Sequence, residues 1–198
     1  MNAATTVLLF GDRRAPRPLA GLPAVRIGGR ERIDDTLEGT RRVAVIGSDA
    51  DLAAVLTRLL RLGRLDVEVA HVRGWAAARR ALAGTARRVP LIRDDTGTAL
   101  AGSALWLPPP GSATLLGEAV ADDEVLFDGE VAGVRIEPTA ALPGVRAAVL
   151  GRRPRRWLAA RAVQLGTAGA RVVRDGVPGA REVSRSTFYR NTEGWLRV

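Results

Sequence analysis

The chain has 198 residues, 46% of them hydrophobic, enough for one large domain or two small ones with a buried core. Its formal charge is +9, and every basic residue is Arg, so a P-loop lysine, a protein-kinase lysine and a Schiff base are all excluded. There is no Cys, which removes disulfides, thiolate nucleophiles and zinc-thiolate sites and fits a cytoplasmic protein. No apolar run approaches the length of a membrane span, and Met1 to Thr6 carries no signal-peptide pattern.

Thr6 to Phe10 is predicted as a first strand. Gly11 to Pro23 is a turn-rich connection holding Pro16, Pro18 and Pro23, and Ala24 to Ile27 is a second short strand ended by Gly28-Gly29. Polar residues from Arg30 to Thr40 lead into the stretch that organises the chain. There Val43, Val45 and Ile46 form the short apolar run of a buried parallel strand, and Gly47 permits a sharp exit. Ser48 caps a helix, with Asp51 completing a capping-box-like pattern. Leu52, Val55, Leu56, Leu59 and Leu60 recur at helical spacing, and Gly63 closes the helix behind Arg58 and Arg61. Leu65 to Val72 alternates as a strand with one wetter face, and Trp75 to Leu82 is a short Ala-rich helix.

After Leu82 the helical periodicity stops. Short β-like runs follow, from Val89–Arg93 through Glu182–Tyr189 to Gly194–Val198, broken by turn signals such as Asp94-Asp95-Thr96-Gly97, Pro108-Pro109-Pro110-Gly111 and Pro143-Gly144. The expected fold is an α/β N-terminal lobe, a short parallel sheet with one or two helices, followed by an all-β sandwich-like C-terminal lobe. The boundary falls between Thr85 and Pro90, giving a nucleotide-binding-like lobe at 1–87 and a sandwich lobe at 88–198.

His71 is the only histidine, which excludes a zinc-protease helix; it reads as a packed or edge residue of its strand. Neither a Gly-x-Ser-x-Gly elbow nor a Gly-x-Gly-x-x-Gly fingerprint follows any predicted strand. What remains is acidic. Asp49 and Asp51 flank the central turn, whose backbone N–H groups and positive dipole end suit an anion. Asp122, Asp123 and Asp128 cluster as candidate Mg²⁺ ligands beside a phosphate. Asp175-Gly176 is either a hairpin turn or the seat of a carboxylate that accepts a hydroxyl proton. Arg152, Arg153, Arg155 and Arg156, interrupted by Pro154 and followed by Trp157, are expected to form an exposed loop suited to an anionic membrane surface. The Arg excess itself reads equally as coding bias or as a surface for phosphate, phospholipid or nucleic acid.

An α/β lobe with a Gly-Asp turn, then a β lobe ending near Asp-Gly, resembles the diacylglycerol kinase and NAD kinase-like superfamily. In its lipid kinases the central turn reads Gly-Gly-Asp-Gly-Thr and binds ATP phosphates; the matching residues are Gly47-Ser48-Asp49-Ala50-Asp51. The late Asp-Gly-Glu motif falls on Asp175-Gly176-Val177, and Arg185-Ser186-Thr187-Phe188-Tyr189-Arg190 through Trp195-Leu196 is similar to tails of actinobacterial diacylglycerol kinase-like proteins. The resemblance implies ATP and Mg²⁺ as cofactors, with Gly47, Ser48 and Asp49 on the nucleotide. It implies phosphoryl transfer to a lipid hydroxyl, Asp49 orienting phosphate or Mg²⁺ and Asp175 taking the proton. Ser48 and Ala50 stand where the motif has glycines, Asp51 where it has Thr, and Val177 where it has Glu. A relic without catalysis is therefore the other form of this expectation. The alternative is a non-catalytic module for anionic lipid or another polyanion. Nucleic acid is a third partner class, disfavoured because aromatics are 4% of residues and stacking platforms are scarce. Oligomeric state is left open, a homodimer included.

Overall fold

The computed structural model of the protein describes residues 5–151 and 156–198, so Arg152, Arg153 and Arg155 lie outside the described residues. In chain order the elements are β1 (Thr5–Phe10), β2 (Ala24–Ile27), α1 (Arg30–Leu37), β3 (Arg42–Ile46), α2 (Asp49–Arg61), β4 (Glu68–His71), α3 (Trp75–Ala83) and β5 (Arg87–Val89). Then come β6 (Ile92–Asp94), β7 (Ala99–Leu100), β8 (Ala104–Leu107), β9 (Leu115–Ala121), β10 (Glu124–Val131) and β11 (Val134–Pro138). They are followed by β12 (Val145–Val149), β13 (Leu158–Ala160), β14 (Ala162–Arg174), β15 (Val177–Pro178), β16 (Val183–Arg190) and β17 (Trp195–Arg197). The chain divides into two compact units, Met1–Val89 with Glu193–Val198, and Pro90–Thr192.

The first unit is a six-stranded sheet in the order β2-β1-β3-β4-β17-β5, parallel except for β5. Val43, Ala44, Val45 and Ile46 are all buried, as a parallel strand covered on both faces requires. On one face Ala78 and Ala81 of α3, together with Leu19 from a 3₁₀ turn at Arg17–Leu19, cover Val7, Ala44, Ile46, Ala70 and Val72. α2 buries Leu52, Val55, Leu56 and Leu59, the residues whose spacing predicts it. Arg42 ties elements together, its Nε donating to Glu68 Oε2 at 2.5 Å while its guanidinium caps the last carbonyls of α3 at Ala81 and Gly84.

Two expectations are corrected here. The segment Arg30–Thr40 contains a helix, α1, so the lobe has three helices where one or two were expected. Its only apolar residues are Ile33 and Leu37, one pair at i and i+4, too few for a periodic signal; both are buried, and Asp34 pairs with Arg58 of α2. The sandwich expected to run to Val198 stops before β17, which lies in the first sheet between β4 and β5.

The second unit is antiparallel and built on β14. The first half of that strand pairs with β9 and β16, and its second half with β8 and β15. One run of strands is β10-β9-β14-β16-β6-β7 and the other β13-β12-β11-β8-β14. Their inner faces share one core around Trp106, whose ring centroid lies 6.1 Å from that of Phe188 and whose Nε1 donates to Ser186 Oγ at 2.9 Å. Among the described residues no helix is long and apolar enough to cross a membrane.

Candidate functional site

In the first sheet β1 and β3 are neighbours, while the chain leaves β1 for β2 on its other side. Strand order reverses there, and open α/β sheets take ligands outside the carboxyl ends of strands at such a point. The turn Gly47-Ser48 lies at the end of β3, ahead of α2.

The turn is closed by a full capping box. Ser48 Oγ accepts from Asp51 N at 3.2 Å, and Asp51 Oδ2 accepts from Ser48 N at 2.7 Å and from Ser48 Oγ at 2.8 Å. Gly47 is needed because of this carboxylate: a Cβ there would stand 2.6 Å from Asp51 Cβ and 2.7 Å from its Oδ2. Arg13, from the loop after β1, brings Nη1 to 3.6 Å from the same Oδ2. Asp49 pairs with Arg73, which follows β4. His71 sits beneath the turn, its Nε2 donating to Gly47 O at 3.1 Å and its Nδ1 3.8 Å from Asp49 Oδ1. Burial pushes the imidazole below its ordinary value and Arg73 and Arg197 act the same way, against the Gly47 hydrogen bond and Asp49. At neutral pH the ring is therefore uncharged, a spacer under the turn rather than an ion-pair partner.

The structure thus brings Gly47, Ser48 and Asp49 together with Asp51, Arg13, Arg73 and His71. Sequence reasoning missed Arg13 and Arg73 as the partners of the turn carboxylates. The signal was their position, each directly after a strand whose carboxyl end borders β3. A helix N-terminus binds phosphate through backbone N–H groups that point at the ligand. Here a carboxylate already holds Ser48 N, so that N–H is engaged within the turn. Asp49 and Asp51 are the kind of oxygen ligand that Mg²⁺ takes, and Arg13 and Arg73 offset their charge.

The remaining candidates lie in the second unit. Asp175, at φ 51° in the β14–β15 turn, accepts through Oδ1 from Gly102 N at 2.7 Å and Ser103 N at 2.9 Å, and through Oδ2 from Ala101 N at 3.0 Å. Its carboxylate fastens the loop between β7 and β8. Asp122, at φ 50° in the β9–β10 turn, accepts from Arg161 N at 2.9 Å and Ala162 N at 3.0 Å. Asp123 is exposed in the same turn, whereas Asp128 is paired along β10 with Glu118 of β9. The three are not convergent, and among the described residues no group of three acidic, His or Cys side chains is placed to hold a metal ion. Arg156 is exposed and pairs with Glu124, and Trp157 is half-buried under the Arg146 guanidinium, 4.4 Å from the ring centroid.

No family model and no curated protein matches the chain. Solved structures do. A diacylglycerol kinase from Bacillus anthracis str. Sterne aligns with a TM-score of 0.75 at 10% identity, over 98% of this chain and 96% of that one. An NAD kinase from Archaeoglobus fulgidus in complex with ATP aligns with a TM-score of 0.61 at 10% identity, over 98% of this chain and 92% of that one. The chain shares the fold of these two structures, an α/β lobe and a β lobe.

Proposed function

We propose that the protein keeps the kinase-like fold without phosphoryl transfer and acts as a non-catalytic binding protein for an anionic ligand. The observation that carries this reading is the position of Asp51, whose carboxylate takes the N–H of Ser48 that a nucleotide phosphate would use. Asp175 supports it, because three backbone N–H groups engage the carboxylate that would have to accept a hydroxyl proton. The formal charge of +9 favours an anion as what is bound.

The test is calorimetry with ATP and Mg²⁺ alongside radiolabelled phosphate transfer to diacylglycerol in mixed micelles. Wild type is expected to show neither heat of binding nor product. Replacing Ser48→Gly, Ala50→Gly and Asp51→Thr together is expected to raise nucleotide affinity by removing the resident carboxylate. Phosphatidic acid formation by wild type, abolished by Asp49→Asn, would overturn the reading.

A further inference from the structure

Helix α3 is amphipathic in the unusual sense. It buries the small Ala78 and Ala81 and leaves Trp75 60% and Leu82 42% exposed. A helix serving only the core would turn its largest apolar side chains inward. At about 100° per residue, Trp75, Arg79 and Leu82 fall within about 60° of arc, with Ala76, Ala83 and Arg80 completing the exposed face. The Arg79 guanidinium lies over the Trp75 ring, 4.8 Å from its centroid. No acidic residue occurs between Glu68 and Asp94, and among the described residues neither Arg79 nor Arg80 makes an ion pair.

We propose that this face of α3 docks on an anionic phospholipid bilayer. Trp75 has the amphipathic ring that settles at a headgroup boundary, Leu82 supplies aliphatic surface to insert, and Arg79 and Arg80 reach lipid phosphates while their stems stay apolar. Charge complementarity selects an anionic surface, and the exposed Trp and Leu select a bilayer over a dissolved polyanion. This surface belongs to the first unit, and the proposal does not depend on phosphoryl transfer.

The experiment uses the full chain with vesicles of equimolar phosphatidylglycerol and phosphatidylcholine, and with pure phosphatidylcholine vesicles, in flotation at low and high salt. Wild type is expected to float with the anionic vesicles only, and less at high salt. The pair Arg79→Gln and Arg80→Gln is expected to weaken partitioning about thirtyfold, at one surface Arg contribution each. Trp75→Ala is expected to weaken it too, with retention on duplex DNA unchanged. Thermal melts of these exposed-site variants should match wild type. The proposal fails if wild type does not float, if it floats equally with phosphatidylcholine, or if the Arg pair changes nothing. It fails in favour of nucleic acid if the Arg pair reduces DNA retention while Trp75→Ala leaves vesicle binding intact.

Discussion

Gly47 separates two explanations of the same turn. A glycine kept for a ligand would tolerate Ala in the free protein, whereas a Cβ at this one would stand 2.6 Å from Asp51 Cβ. Gly47→Ala is therefore expected to lower stability by roughly 1–3 kcal/mol in urea unfolding. In an Asp51→Ala background the same change should cost measurably less, because the two share one contact. Equal costs in both backgrounds would detach Gly47 from the carboxylate. His71 gives the turn a pH dependence. Its folded pKa lies below the ordinary 6.5, so as pH falls the unfolded chain takes up the proton first. The stability held by the neutral ring is complete above that value and declines as pH drops toward the folded pKa. Urea midpoints measured from about pH 7.5 to about pH 5 should fall more steeply for wild type than for His71→Gln, since carboxylate titrations are common to both. Parallel profiles would show that His71 is not the group responsible.

Among the elements, the β14–β15 turn gives the Asp175 carboxylate a structural task. Asp175 holds three N–H groups of the segment 101–103, and its own N–H donates to Ser103 O at 2.8 Å. Asp175→Ala is expected to cost roughly 1–3 kcal/mol of stability, read from chemical denaturation, because it strands three half-buried backbone donors. A variant as stable as wild type would return Asp175 to consideration as a proton acceptor. This turn was legible only in its local half: Asp-Gly announces a hairpin, but not the loop more than seventy residues away that the side chain fastens. The same limit applies to Asp94, fully buried, whose bonds to Thr96 N and Thr98 N follow from the local turn while its 2.5 Å partner Arg174 does not. α2 was legible throughout because cap, periodicity and closing glycine all lie within it. In β14 the residues Gly166, Thr167 and Gly169 form an irregularity between Gly166 and Ala170, where the strand passes from one set of neighbours to the other, a change of partner that no local pattern announces.

At the scale of the whole molecule, β17 decides what can fold by itself. β5 and β17 are antiparallel neighbours with Val89 opposite Trp195, so the second unit is an insertion into what is otherwise a hairpin of the first sheet. A chain ending at Val89 would lose Trp195, only 8% exposed, and would leave β4 with an open edge and β5 without its partner. Losing a buried Trp alone costs about 3–5 kcal/mol against a typical domain stability of about 5–15 kcal/mol. Residues 1–89 are therefore expected to show no cooperative urea transition. Joining Val89 to Glu193 through a short Gly-Ser loop restores both missing neighbours and turns the two strands into a directly connected hairpin, a topology that tolerates a loop of a few residues. That joined chain is expected to unfold cooperatively, with circular dichroism showing the three helices. If residues 1–89 alone gave an equally cooperative transition at the same midpoint, β17 would be an accessory to the first sheet rather than a condition of its stability.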